Sequence, residues 1–207
     1  MATTASSRAR RVVPANAAPL ADLETVFGTR GDAAHCWCQW FKLPARDWRD
    51  VDDRMLHDRL ADQLAADRPG PGLLAYERDA PVGWCAIEPR SALVRLRQSR
   101  IVKLGTEDPD FDDDTVWALS CFVIPPEHRG RGVATDLARA AVDVAAMGGA
   151  RAVEGYPVDP AARGTVSASE LYHGTVSMFV AAGFVEVARP TPSRAVMRRP
   201  LAKLTVY

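Results

Sequence analysis

The loop that follows Ile124 combines two arginines and two glycines, Arg129, Gly130, Arg131 and Gly132, directly before a predicted helix. The first N–H groups of a helix lack partners within it, and the helix dipole adds partial positive charge at that end. Glycines let this backbone approach an anion, and arginines add charge-assisted donors. The spacing therefore predicts a phosphate or pyrophosphate site, with an ordinary strand-to-helix turn as the alternative.

Two well-known nucleotide-binding patterns fit this loop poorly. A P-loop needs Gly-Lys-Ser/Thr, which the chain lacks. A dinucleotide-binding turn needs G-x-G-x-x-G directly after the first strand and an acid about 20 residues on. Here Thr135 takes the third glycine position, and Pro125 to Arg129 separate the preceding strand from Gly130. Too little chain follows to complete a doubly wound sheet.

The order of the predicted elements indicates a mixed α/β sheet. Strands are predicted at 11–13, 73–76, 82–87, 115–124, 151–158, 184–188 and 194–198. Helices are predicted at 14–27, 48–66, 91–100, 130–147 and 171–182. Antiparallel pairs come first, and one strand–loop–helix–strand unit follows them, which is typical of a single mixed domain. We expect a flexible tail over residues 1–10 and one domain over residues 11–207.

Composition excludes several classes of protein. The net charge of zero argues against nucleic-acid and anionic-membrane partners. No apolar run is long enough to span a membrane, and no secretory segment is recognisable. The four cysteines are too few and too unevenly spaced for a disulfide framework. We therefore expect a cytoplasmic protein with free thiols.

Two motifs together resemble the GNAT superfamily of acyl-CoA-dependent N-acetyltransferases. Arg129-x-x-Gly132-x-Ala134 resembles the superfamily's acyl-CoA signature, and the run from Phe179 to Phe184 resembles its second signature. The strand that contains Val82-Gly83 resembles the one that precedes the first motif. The resemblance implies a mixed, mostly antiparallel central sheet with a splayed strand pair and helices on both faces. It also implies transfer of an acetyl group from acetyl-CoA to a primary amine of a small molecule or peptide.

The resemblance assigns cofactor contacts to the backbone around the loop. The amides of Arg129 to Ala134 would hold the pyrophosphate, and the edge of the Phe122–Ile124 strand would pair with the pantetheine arm. The N–H of Val123 or Ile124 would polarise the thioester carbonyl. The expected cofactor-binding residues are Phe122, Val123, Ile124, Arg129, Gly130, Arg131, Gly132, Val133 and Ala134.

The catalytic half departs from the family pattern. Phe179 occupies the position where the family often has a tyrosine that protonates the leaving thiolate, and phenylalanine has no proton to give. Tyr172 is the candidate replacement, or else it packs against the preceding loop. Because Glu154 and Tyr156 are two apart on a strand, they share one face. Glu154 is the candidate general base, with an ion pair to an arginine as the alternative.

The stretch from His35 to Leu43 contains two tryptophans, two cysteines and a phenylalanine. Trp37, Trp40 and Tyr156 are predicted to line the acceptor pocket, although core packing explains them equally well. Cys36-x-Cys38 is tighter than the usual zinc spacing, so no metal is expected.

Two further questions stay open from the sequence. The phenylalanine at position 179 leaves room for an alternative function, in which the protein is a catalytically weak acyl-CoA-binding sensor or scaffold. Neither the acceptor nor the oligomeric state can be read from the residues, and a homodimer is one option.

Overall fold

The structure is a computed structural model that describes residues 10–28, 30–66, 70–163 and 167–202. The tail predicted at the start of the chain lies outside these residues apart from Arg10. That arginine forms ion pairs with Glu77 and Asp136, at 2.8 and 2.7 Å.

Seven strands form one sheet across the described residues. They are β1 (Arg11–Pro14), β2 (Gly72–Glu77), β3 (Ala80–Pro89), β4 (Val116–Val123), β5 (Ala152–Gly155), β6 (Val185–Thr191) and β7 (Arg194–Pro200). Their order is β1-β2-β3-β4-β5-β7-β6. Of the paired neighbours only β4 and β5 run parallel, because a helical crossover connects them. The prediction of a mixed, mostly antiparallel sheet is confirmed.

Helices cover both faces of this sheet. They are α1 (Leu20–Phe27), α2 (Asp32–Cys36), α3 (Asp53–Ala65), α4 (Val94–Gln98), α5 (Arg100–Gly105), α6 (Val133–Met147) and α7 (Val176–Ala181). The alternation of strand side chains divides the core: Leu73 packs with the α6 residue Leu137 on one face, while Leu74 packs with Leu23 of α1 on the other. None of the helices in the described residues is long and apolar enough to cross a membrane.

All five predicted helices are shorter or divided in the structure. The first begins only at Leu20 after Pro19, and the second begins at Asp53, where the Asp52 side chain accepts a hydrogen bond from Met55 N. The helix predicted over 91–100 divides into a 3₁₀ turn and α4, and the one predicted over 130–147 begins at Val133. The helix predicted over 171–182 divides into a 3₁₀ segment, Ala168–His173, and α7, which the Thr175 side chain caps.

β4 and β5 diverge at their carboxyl ends. Their ladder ends where Leu119 pairs with Gly155, whereas β4 continues to Val123 in its pairing with β3. Pro157 has no N–H to extend the ladder, so β5 ends before the predicted strand boundary. A register shift against β3 makes Ser120 an extra residue of β4, which bends the strand away. The predicted splayed pair is therefore present.

A fully buried carboxylate lies on β5. Glu154 accepts hydrogen bonds from Arg198 Nη1 at 2.7 Å, Arg90 Nη1 at 3.1 Å, Thr106 Oγ1 at 2.8 Å and Tyr156 Oη at 2.9 Å. Its side chain is 0% exposed, as is that of Arg90. A buried charge is tolerated when it is paired and hydrogen-bonded in this way.

We expect Glu154→Gln to lower the free energy of unfolding by about 3 kcal/mol, because it leaves buried arginines without their shared counter-charge. Urea denaturation would measure the change. Asp112→Asn is the matched control, since Asp112 pairs with Arg97 on the exposed surface. Equal midpoints for the two variants would contradict a structural role for Glu154.

Candidate active site

The loop before α6 has open backbone donors. Gly132 is the residue before the helix, and the first helical N–H bond runs from Asp136 N to Gly132 O at 3.0 Å. The N–H groups of Val133, Ala134 and Thr135 thus have no acceptor within the helix. Because α6 has 15 residues, its dipole adds positive potential at this end. The predicted anion site has the required donors.

Two glycines give the loop its shape. Gly130 and Gly132 have φ angles of +70° and +81°, a region that L-residues with side chains rarely adopt. Among the described residues, a Cβ on Gly130 would meet no atom within 4 Å, and one on Gly132 would meet only the Arg10 guanidinium at 3.9 Å. No described side chain therefore crowds the backbone at these two glycines.

Arginine side chains hold the loop in place. Arg129 Nε donates to Ile124 O at 2.9 Å, and Arg10 Nη2 donates to Arg131 O at 2.8 Å. Arg10 also pairs with Asp136, the acid in the first turn of α6. It thereby offsets a negative charge that would weaken anion binding. Arg10 was not among the predicted site residues, because an arginine in a short run of arginines carries no recognisable pattern.

The β4 edge leads straight into this loop. Phe122 pairs with Cys85 and Val123 with Trp84 on the β3 side, while the β5 partner has already diverged. The side chains of Phe122 and Val133 are buried, so both residues offer only their backbone. All nine predicted cofactor residues therefore lie on one continuous path along the strand, the loop and the helix start.

Phe179 is a core residue. It is 0% exposed, and its ring makes edge contacts with Phe122 and Phe184, with centroids 6.0 and 4.9 Å apart. A Cβ on Gly155 would overlap the Phe179 ring, so the glycine permits this ring to pack at the end of the β4–β5 ladder. Phe179 therefore packs where β4 and β5 separate, and its side chain has no proton to donate.

Tyr172 lies in the 3₁₀ segment rather than in the predicted helix. Its ring packs against His173 and Phe41, with centroids 4.1 and 6.2 Å away. Burial, reinforced by nearby Cys121 of β4, raises the pKa of Tyr172 to about 12. The phenol is therefore protonated at neutral pH and lies beside the strand that borders the divergence.

His173 is a neutral group at the same place. Burial and the nearby Arg194 guanidinium lower the pKa of His173 well below its usual range, against a hydrogen bond with the Ser120 backbone. Ser120 is the first residue of β4 beyond the end of its ladder with β5.

The other predicted site residues are more enclosed than expected. Glu154 faces Arg90 and Arg198, and no open cleft adjoins its side chain. Tyr156 is 2% exposed and donates to Glu154, which confirms that the two share a face but places Tyr156 in the core. The candidate base Glu154 and the predicted pocket residue Tyr156 are thus both enclosed in the core.

The two predicted pocket tryptophans differ in their surroundings. Trp37 is buried, with its ring stacked on Phe27 at 5.1 Å. Trp40 is 38% exposed, and the Arg95 guanidinium lies 3.8 Å from its ring centroid. The chain itself thus places a cation over the Trp40 ring.

The cysteines are free thiols in the structure, and the sulfur atoms of Cys38 and Cys121 lie 3.4 Å apart. Within the described residues no group of three or more His, Cys, Asp or Glu side chains could hold a metal ion.

Comparison with known proteins agrees with this geometry. The structure of yncA from Salmonella typhimurium, provisionally assigned as an acetyltransferase and holding its cofactor acetyl-CoA, is similar at a TM-score of 0.54 and 14% identity over 96% of this chain and 97% of that one. Ribosomal-protein-alanine N-acetyltransferase from Brucella melitensis matches at 0.52 and 16% over 92% and 99%. PaiA N-acetyltransferase from Thermoplasma acidophilum, in complex with coenzyme A, matches at 0.52 and 12% over 93% and 99%.

At these identities the similar structures show the fold alone. Among curated proteins none matches the sequence. The profile of the Acetyltransferase (GNAT) family matches residues 37–163, which is more than half of the chain. The chain therefore belongs to the GNAT acetyltransferase family.

Proposed function

We propose that this protein transfers the acetyl group of acetyl-CoA to a primary amine of a small molecule or peptide. The observation that carries the proposal is the open edge of β4, which continues without interruption into the anion-binding loop. Family membership supports acetyl transfer. The choice of nitrogen as the acceptor atom and the use of acetyl-CoA as the cosubstrate are our inference.

The loop residues fit the diphosphate of coenzyme A. The backbone N–H groups of residues 130–134 would donate hydrogen bonds to its oxygens, whereas Arg129 N already donates to Pro126 O at 3.3 Å. The exposed side chains of Arg129 and Arg131 would add charge. The β4 backbone from Phe122 to Ile124 would pair with the amide-containing arm that joins the diphosphate to the sulfur.

The cosubstrate supplies an activated thioester, and the protein has three tasks around it. Acyl transfer forms a bond between the amine nitrogen and the acetyl carbon, breaks the carbon–sulfur bond, takes one proton from the ammonium and returns one to the thiolate. The N–H of Val123 or Ile124 would polarise the carbonyl oxygen. Tyr172 would protonate the thiolate, because its phenol is protonated and lies beside β4.

Neither Glu154 nor His173 is well matched to removal of the ammonium proton. The Glu154 carboxylate pairs with Arg90 and Arg198, and its side chain is 0% exposed. His173 is too weakly basic, because its pKa is held well below its usual range. We therefore assign Glu154 a positioning role and expect the acceptor to react in its free-base form.

Arg131→Glu should weaken acetyl-CoA binding about tenfold or more, since a charge-assisted contact becomes a repulsive one. Isothermal titration calorimetry would measure the dissociation constant. Arg59→Glu, with the same charge change on exposed α3, should keep the wild-type value. Unchanged affinity in Arg131→Glu would remove this loop from the cosubstrate site.

Tyr172→Phe should lower kcat about 10²-fold with little change in acetyl-CoA affinity, because only proton transfer to the thiolate is lost. Tyr76→Phe is the matched control: its hydroxyl donates to Asp22 at 2.6 Å, and neither residue belongs to the proposed site. A thiol-release assay over an amine panel would measure both. Wild-type kcat in Tyr172→Phe would exclude the phenol as the acid.

The same panel tests the alternative of an acyl-CoA sensor, which the buried Phe179 keeps under consideration. Acetyl-CoA binding without thiol release across the panel would favour the sensor.

The pH dependence of kcat/KM should be set by the pKa of the acceptor amine. We expect the rate to rise with pH up to the pKa of each amine tested, since only the free base attacks. It should not fall near pH 10, because Tyr172, with a pKa raised to about 12, is still protonated there. Two acceptors with different pKa values would be compared, and one common pKa for both would indicate a basic group on the enzyme.

A further inference from the structure

Two arginines near Tyr172 have no carboxylate partner among the described residues, whereas the other Lys and Arg side chains that are not exposed there do have one. In the described part of the chain, the Lys and Arg residues that are not exposed are Arg10, Lys42, Arg90, Arg95, Arg194 and Arg198. Burial of a cation costs free energy unless an anion or good acceptors compensate it.

Four of these six cations have carboxylate partners. Arg10 pairs with Glu77 and Asp136, Lys42 with Glu88 at 2.7 Å, and Arg90 and Arg198 with Glu154. Arg95 and Arg194 have no carboxylate within ion-pair distance among the described residues. Their positive charges are therefore not neutralised by these parts of the protein.

Each of the two guanidinium groups also has a buried nitrogen without an acceptor. Arg194 Nη2 donates to Tyr156 O at 2.8 Å, but Arg194 Nε finds no partner in the described structure. Arg95 Nε donates to Leu43 O at 2.7 Å, while Arg95 Nη2 is likewise left unpaired there. A buried N–H group without a hydrogen-bond acceptor costs free energy, which indicates that an acceptor is missing at this place.

The orientation of Arg95 is fixed by its surroundings. Its guanidinium lies 3.8 Å from the ring centroid of Trp40 and 5.1 Å from that of Trp48. Its backbone N–H donates to Phe41 O at 3.1 Å. Stacking on aromatic faces holds a guanidinium in place without consuming its hydrogen bonds. Arg95 is thus prepared to bind an anion.

Both arginines adjoin the open end of β4. Phe41, which accepts from Arg95 N, packs on Tyr172, and both guanidinium groups act electrostatically on that phenol. Tyr172 is in turn close to Cys121 of β4. Burial lowers the pKa of Arg95 and Arg194. At Arg194 the Glu170 carboxylate, which forms no ion pair with it, opposes this shift without reversing it. The unpaired donors therefore lie on the acceptor side of the proposed reaction centre.

We propose that the acceptor is an amine that also carries a carboxylate, as an amino acid does, and that Arg95 and Arg194 bind this carboxylate. This inference rests on the proposed function, since it names the substrate class of the same site. A carboxylate offers acceptors to two guanidinium groups at once and neutralises part of their charge. The partly buried setting favours a compact anion over an extended polyanion.

The first test uses the wild-type protein and measures binding rather than turnover. Calorimetry would compare N-acetyl-L-phenylalanine with N-acetylphenethylamine, and N-acetyl-L-leucine with N-acetylisopentylamine, which differ only in the carboxylate. We expect about 10- to 100-fold tighter binding of the carboxylate member in at least one pair. Equal affinity in both pairs, or no binding of any of them, would overturn the inference even if amines are acetylated.

Variants then locate the effect. Arg194→Gln and Arg95→Gln should each remove most of this preference, and Arg194→Lys should keep part of it. Arg189→Gln is the matched control, because Arg189 already pairs with Asp159 and Glu186. Preference retained in both glutamine variants would overturn the assignment of these arginines. Tighter binding of the N-acetyl aminophosphonate analogue than of the carboxylate would overturn the choice of a carboxylate.

Discussion

The separation of β4 from β5 is the constraint on which the candidate site depends. The ladder ends at Leu119 and Gly155 because Pro157 cannot extend it, Ser120 bulges out of register, and the Phe179 ring packs over Gly155. A sheet that stayed paired would bury the β4 edge and leave no backbone donors for a ligand. The residue that lacks a catalytic proton, Phe179, thus has a clear structural task, because it fills the space where the strands part.

Charge is distributed differently on the two sides of this opening. On the cofactor side, Arg10 offsets Asp136 at the start of α6, so the helix dipole and the loop amides act on a bound anion with less opposition. On the acceptor side, Arg95 and Arg194 form no ion pair with any described residue. In the core, Glu154 balances the charge of two further arginines, Arg90 and Arg198.

Much of the cofactor half could be predicted from sequence, because glycines, arginines and an apolar strand act through local backbone geometry. The acceptor half could not. Its character depends on which partners Glu154, Arg95 and Arg194 find at sequence separations of 38 to 64 residues, and spacing along the chain holds no record of that. Tyr172 could be named as a candidate, but the capping residue Thr175 divides the helix on which it was placed.

The bond from Arg10 to Arg131 has a consequence for the order of folding. These residues are 121 positions apart, so the loop gains this support only when β1 has joined the sheet. Contacts of such long sequence separation form late, since chain entropy must be lost before they contribute. During synthesis β1 can therefore pair with β2 early, but Arg10 can bind Arg131 O only after more than half of the chain has been made.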